Sequence, residues 1–329
     1  MTTPRQPVVV VLTSADSPPG MTEAHRLADV RYVDANGLPA ALSSAEVLFV
    51  WDFLSTAVPR SWPSAGGPRW AHIASAGVDR LLFPALVDTD TVVTNSRGVF
   101  EEPIADYVLA LVLAFAKDLP TTIRLQTEHR WQHRETEPIA GRAALVVGTG
   151  PIGRAIGRKL ALLGMRVSGA GRTARSGDPD LGDIVDMDGL PSALGDADYV
   201  VLAAPLTDRT RGLVDAAVLA AMRPTARLIN VGRGDLVREP DLVAALRDGV
   251  IAGAALDVFA DEPLPASSPL WRMANVVVSP HMSGDLVGWR DDLAALFVDN
   301  LRRYVSGAPL RNVVDKALGY VPSGTGVTR

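Results

Sequence analysis

Short, near-continuous apolar runs rich in valine and leucine recur along the chain, at 8–12, 30–33, 47–50, 72–74 and 92–94. Segments compatible with helix separate them. Runs that are apolar throughout, rather than alternating, suit strands of a parallel sheet covered on both faces. The first hundred residues therefore predict a complete α/β unit. A long apolar helix is predicted at 104–116, opened by Pro103 after Glu101 and Glu102, residues that favour a helix start. A more polar helix is predicted at 121–133.

A second series of apolar runs follows, at 145–147, 165–170, 197–203, 226–231, 253–258 and 276–279, with helices expected at 215–222 and 239–247. The chain closes with a helix at 293–305 and a tail punctuated by proline and glycine that is expected to return to the first unit. The pattern predicts an α/β protein of two doubly wound parallel-sheet domains. Their expected boundaries are 1–101 with 286–329 for one, and 102–285 for the other.

Composition adds bounds. A length of 329 residues suits about two domains, and 47% hydrophobic with 21% charged residues fits an ordinary globular protein. The net charge of −5, with acids and bases interspersed, gives no footprint for nucleic acid. Cysteine is absent, which excludes disulfides and thiolate chemistry. The run at 8–12 is too short for a signal peptide, and no stretch approaches the ~20 apolar residues of a membrane helix. A cytoplasmic protein with no membrane partner is expected.

The candidate chemistry starts where the run at 145–147 enters Gly148-Thr149-Gly150-Pro151-Ile152-Gly153, with an amphipathic helix beyond. A strand, Gly-x-Gly-x-x-Gly and a helix in that order form a dinucleotide-binding fingerprint. The glycines make the tight turn, admit the pyrophosphate and let helix pack on strand, and the helix N-terminus favours phosphate. Polar residues stand at or just after later strand ends: Arg233, Asp257 and His281. Ligands of such sheets bind beyond the carboxyl ends of the strands. Pro205, Val231 and Gly284 lie beside the same ends and join the expected cofactor contacts. His129 and His133 share one face of the predicted helix at 121–133, but no third ligand accompanies them, and no metal site is expected.

Three segments now stand in order after the fingerprint: Asn230-Val231-Gly232-Arg233-Gly234, Asp257-Val258-Phe259-Ala260-Asp261-Glu262-Pro263-Leu264 and Ser279-Pro280-His281-Met282-Ser283-Gly284. Together they resemble the D-isomer-specific 2-hydroxyacid dehydrogenase family, over nearly the whole chain, and within it the glyoxylate/hydroxypyruvate reductase branch. The resemblance implies a Rossmann cofactor domain inserted into a split, flavodoxin-like substrate domain, assembled as a homodimer. It assigns catalysis to Arg233, Glu262 and His281, and places Asp257 near the nicotinamide carboxamide. It also implies that backbone N–H groups of Gly77 and Val78, in Ala74-Ser75-Ala76-Gly77-Val78-Asp79, hold the substrate carboxylate, where a glycine permits an anion-binding nest. Trp51 and Trp131 match aromatics near the pocket of that branch, or else pack in the core or a dimer interface.

These residue types suit the chemistry in their own right. Reduction of a 2-oxoacid needs a proton at the carbonyl oxygen, which histidine is well placed to give near neutral pH. A carboxylate on its far nitrogen fixes the tautomer and favours the imidazolium, and an arginine fork grips the substrate carboxylate. One departure from the NAD-using members stands out. Where they carry an acid after the second cofactor strand, this chain reads Gly171-Arg172-Thr173-Ala174-Arg175. Arg172, Thr173 and Arg175 offer donors to a 2′-phosphate, so NADPH is the expected cofactor, with NAD(H) the alternative.

The expected function is an NADPH-preferring reductase of small 2-oxoacids such as glyoxylate or hydroxypyruvate, giving D-2-hydroxyacids. The absence of a further C-terminal domain speaks against a large phosphoglycerate-type enzyme, and Glu262 against a formate dehydrogenase. Two alternatives come from other directions: a nucleotide-sensing corepressor of the same fold, and an NAD-dependent D-2-hydroxyacid dehydrogenase. A Rossmann methyltransferase is disfavoured by Arg233, Glu262 and His281 occurring together.

Overall fold

The computed structural model describes residues 6–64 and 66–322. The chain divides into two compact units, Met1–Phe100 with Leu286–Arg329, and Glu101–Asp285.

Unit 1 is built on a five-stranded sheet: β1 (Val8–Leu12), β2 (Asp29–Val33), β3 (Val47–Val50), β4 (Trp70–Ile73) and β5 (Val92–Thr94). The order is β2-β1-β3-β4-β5 and every pairing is parallel. The wholly apolar runs became the buried strands β1 and β3, whereas β2, at an edge, is largely exposed. The C-terminal segment returns to this unit, as an antiparallel bridge between Thr94 and Val313 shows. Helix Trp289–Ser306 starts a turn earlier than its apolar pattern suggests, at a left-handed Gly288. It places Phe297 in stacked contact with Phe49 (centroids 3.9 Å apart) and Trp70 (5.4 Å).

Unit 2 carries eight strands: β6 (Ala143–Val147), β7 (Arg166–Ala170), β8 (Arg175–Asp178), β9 (Gly182–Val185), β10 (Tyr199–Leu202), β11 (Arg227–Asn230), β12 (Gly253–Leu256) and β13 (Val276–Val278). The order β13-β12-β11-β10-β6-β7-β9-β8 is parallel except for the β8/β9 hairpin. The chain leaves β6 toward β7, then returns to the other side of β6 at β10. That reversal makes the β6/β10 boundary the topological switch point, where such sheets bind nucleotides.

Two helix boundaries differ from the sequence pattern. The long apolar helix is Glu101–Ala116, so the acids occupy its first turn instead of preceding it, and Pro103 is its third residue. The helix expected at 121–133 is Leu119–Thr127. It ends because His129 takes a left-handed backbone (φ 55°), with Arg130 N donating to the Leu125 carbonyl at 2.9 Å. His129 and His133 therefore share no helical face. Among the described residues, no helix is long and apolar enough to cross a membrane.

Candidate active site

Three loops at the carboxyl ends of unit 2 strands interlock. After β11 the chain turns through Val231-Gly232-Arg233-Gly234, and the buried Asn230 clamps this turn from both sides. Its amide donates to the Arg233 carbonyl at 2.9 Å, and its oxygen accepts from Gly232 N at 3.1 Å. The Arg233 guanidinium donates to the Gly232 carbonyl at 2.8 Å. Gly234 lies directly on the Phe259–Ala260 peptide: a Cβ there would sit 1.9 Å from the Phe259 carbonyl carbon. No other residue permits that approach, so the Arg233 turn and the loop after β12 are held as one piece.

The loop after β12 turns Glu262 toward the loop after β13. Glu262 Oε1 accepts from Phe259 N at 3.0 Å, and Oε2 faces His281 Nδ1 at 2.9 Å. The carboxylate can only accept, so Nδ1 is the donor of this pair, and Nε2 is left for a reacting atom. The pair is partly shielded, with side-chain exposures of 31% for His281 and 19% for Glu262. His281 itself has φ 54°, a left-handed conformation that non-glycine residues seldom hold without support. Asp257 supplies that support. It is fully buried, and its contacts are to the chain itself: Ser279 Oγ, Met282 N and Ser283 N all donate to its carboxyl, at 2.7, 3.0 and 2.9 Å.

The glycine fingerprint sits at the switch point and fits a dinucleotide. Gly148 has φ 116°, and a Cβ there would strike Ala204 N, just beyond β10, at 2.5 Å. A Cβ on Gly153 would lie 1.9 Å from the Gly148 carbonyl oxygen, which fixes the close seating of helix Pro151–Leu162, with Pro151 and Ile152 in its first turn. Gly150, the N-cap, has nothing within 4 Å of its would-be Cβ and no side chain capping the helix. Free N–H groups at an open, uncapped helix start are what a pyrophosphate requires. Pro205 and Val231 follow β10 and β11 at the same edge. The Pro205 carbonyl accepts from Thr210 Oγ1 at 2.7 Å, and Val231 is buried. Gly284 follows the Asp257-bound Ser283.

The turn after β7 holds Gly171, Arg172 and Thr173, the last two exposed. Arg175 lies on β8 instead, where its guanidinium grips Asp178 through Nε and Nη2, both at 3.1 Å. Asp178 is also bound by Arg154 at 2.8 Å. Burial would raise the Asp178 pKa, but the Arg154 hydrogen bond, the Asp180 amide and Arg175 together hold it down at about 2.

In unit 1, the loop after β4 is shaped by Ser75 Oγ donating to the Gly77 carbonyl (2.6 Å) and Asn95 donating to the Ala76 carbonyl (2.6 Å), with Val78 buried. Trp51 is buried edge-on to Phe49, whereas Trp131 in unit 2 is wholly exposed and so is no core residue. Sequence reasoning gave Asn230 and Ser279 no role. Their position beside Arg233 and His281, as polar residues closing apolar strands, was the available signal.

A parallel sheet with a glycine turn at its switch point, and an acid–histidine pair locked beside an arginine turn, define a dinucleotide-dependent oxidoreductase. Residues 109–283 match the family model described as D-isomer specific 2-hydroxyacid dehydrogenase, NAD binding domain. Glyoxylate/hydroxypyruvate reductase A from Arabidopsis thaliana is 33% identical over 244 residues, covering 72% of this chain and 75% of its own. Glyoxylate/hydroxypyruvate reductase B from Pectobacterium carotovorum is 34% identical over 253 residues, covering 75% and 79%. Among solved structures, a D-isomer specific 2-hydroxyacid dehydrogenase from Xanthobacter autotrophicus Py2, in complex with NADPH and MES, superposes with a TM-score of 0.80 at 34% identity, covering 96% of this chain and 100% of that one. The NADPH-dependent glyoxylate/hydroxypyruvate reductase of Sinorhizobium meliloti, with NADP and sulfate, gives 0.78 at 29% identity, with coverage of 96% and 100%. The chain belongs to the D-isomer-specific 2-hydroxyacid dehydrogenase family of NAD(P)-dependent oxidoreductases and resembles its glyoxylate/hydroxypyruvate reductase branch.

Proposed function

We propose that this protein reduces small 2-oxoacids of the glyoxylate or hydroxypyruvate kind to D-2-hydroxyacids, with NADPH preferred over NADH. In this reading Glu101–Asp285 is the cofactor domain and the other unit the substrate domain. The observation that carries it is the His281–Glu262 pair at 2.9 Å, held in the same interlocked piece as Arg233. Bound reduced nicotinamide supplies hydride to the carbonyl carbon. His281 Nε2 gives the proton to the carbonyl oxygen, while Glu262 holds the ring's orientation through Nδ1. Arg233 grips the substrate carboxylate and polarises the carbonyl, and the Gly77 and Val78 amides bind the carboxylate.

The cofactor preference rests on Arg172 and Thr173 more than on Arg175, because Arg175 already grips Asp178. The relatives with NADPH or NADP bound support the same choice. The exposed Trp131, with Leu119 and Ile123 exposed on the preceding helix, supports a homodimer. A panel of 2-oxoacids assayed with each cofactor tests the proposal. The expected result is turnover of glyoxylate or hydroxypyruvate, with kcat/KM favouring NADPH by about tenfold or more, the equivalent of ~1.4 kcal/mol. Oxidation of NADPH with no 2-oxoacid in the panel would refute the substrate class, and equal or better use of NADH would refute the preference.

A further inference from the structure

The loop that carries His281 belongs to no strand or helix, and four of its hydrogen bonds converge on one residue. Ser279, His281, Met282 and Ser283 each donate a hydrogen bond to Asp257, at the end of the neighbouring strand β12. Ser279 Oγ and Met282 N reach Oδ1 at 2.7 and 3.0 Å, and Ser283 N reaches Oδ2 at 2.9 Å. His281 N reaches the Asp257 main-chain carbonyl at 2.8 Å. Asp257 is fully buried, and Ser279 and Ser283 are nearly so. These bonds surround a left-handed histidine, and they set the direction in which its Cα–Cβ bond leaves the backbone.

The hydroxyl of Ser279 is the only side-chain donor in the set. We propose that Ser279 is a positioning residue for the reduction: through Asp257 it fixes the loop in which His281 is presented to Glu262 and to the substrate carbonyl. Ser279 has one proton and gives it to Asp257, so any further partner of its oxygen must donate. Tyr107, on helix Glu101–Ala116, is that partner. Its hydroxyl bonds Ser279; burial pushes the phenol pKa up, the Ser279 hydrogen bond opposes this, and the charge of Asp257 adds to the rise. The chain of donors runs Tyr107 to Ser279 to Asp257. The inference rests on the reading that His281 is the proton donor, because a small misplacement of that ring matters only if it acts on the substrate.

The test uses the full-length protein with Ser279→Ala, Ser279→Thr, Tyr107→Phe, His281→Ala and the Ser279→Ala/His281→Ala double variant. Ser279→Ala is expected to lower kcat by about ten- to a hundredfold, with the Kd for NADPH near wild type, because misplacing a reacting group by about 1 Å can cost that much. The threonine variant keeps the hydroxyl and should restore most of the rate. Tyr107→Phe, which loses only a half-buried hydroxyl, should move kcat the same way by less. In the His281→Ala background the alanine change at Ser279 should have no further effect. A readout independent of turnover is the imidazole NMR spectrum of the cofactor-free protein, where the Nδ1 proton of His281 is identified by its loss in His281→Ala. That signal should broaden or vanish in Ser279→Ala and persist in Ser279→Thr. Wild-type kcat and an unchanged His281 signal in Ser279→Ala would overturn the proposal, as would an additive loss in the double variant or a loss that threonine does not restore. If the wild type turns over no 2-oxoacid, the catalytic reading fails instead, and the NMR result still decides whether Ser279 holds the ring.

Discussion

His281 combines a backbone conformation that typically costs about 1–3 kcal/mol with a ring held 2.9 Å from a carboxylate, and the four donors to Asp257 over-determine it. Strain held in place by such a lattice of bonds marks a residue whose position matters. Arg233 is set in the same way, with Asn230 clamping its turn and Gly234 on the facing peptide. Its guanidinium is a planar fork that no ammonium reproduces. Arg233→Lys is therefore expected to lower kcat/KM for the 2-oxoacid by at least about tenfold while the protein stays folded, checked by steady-state kinetics beside a thermal melt. At this scale the sequence pointed to side chains that the structure brings together and was uninformative about what aims them. Arg233 and His281 stood out as polar residues after strand ends near a glycine fingerprint, and Glu262 through the resemblance of its segment to the family. The carboxyl of Asp257 accepts from the His281 loop, a direction that no spacing encodes.

Strands β1 and β3 were legible because they are buried on both faces and read as unbroken apolar runs, and both fall where those runs predict. The β8/β9 hairpin was not, because Arg175-Ser176-Gly177-Asp178 has no apolar face and is held by ion pairs and by its pairing with β9. That hairpin fixes the turn bearing Arg172. Arg172→Ala should lower kcat/KM with NADPH by about tenfold and leave NADH nearly unchanged, with the gap narrowing as salt rises. Equal losses with both cofactors would place Arg172 away from the 2′-phosphate. In unit 1, β4 carries a polar residue among its apolar ones. His72 is fully buried, with Nδ1 paired to Thr94 Oγ1 at 2.7 Å, and burial pushes its pKa down to about 3. The folded ring stays neutral where the unfolded one, at 6.5, takes up a proton. The stability this group contributes is complete above 6.5 and is lost as pH falls toward 3. Between about pH 7 and about pH 5 the loss should be ~2 kcal/mol, read as faster hydrogen exchange of β4 amides, and His72→Gln should flatten that part of the pH dependence.

The chain divides into two units, one formed from both chain ends and one from the middle, each built on a doubly wound sheet. That division was visible from sequence, because two series of apolar runs flank the long helix and the tail has no strand pattern of its own. Family membership follows from the match across residues 109–283 and from relatives that align over about three quarters of the chain. Hydride reduction of a 2-oxoacid with His281 as proton donor is the proposed reaction. Hydroxypyruvate with NADPH, given to the wild type and to His281→Ala, with cofactor consumption followed and the product resolved on a chiral column, tests it most directly. The wild type is expected to give the D-hydroxyacid, and the variant a kcat about a hundred- to ten-thousandfold lower with NADPH affinity unchanged. A variant that keeps the wild-type kcat, or an L-product from the wild type, would contradict it.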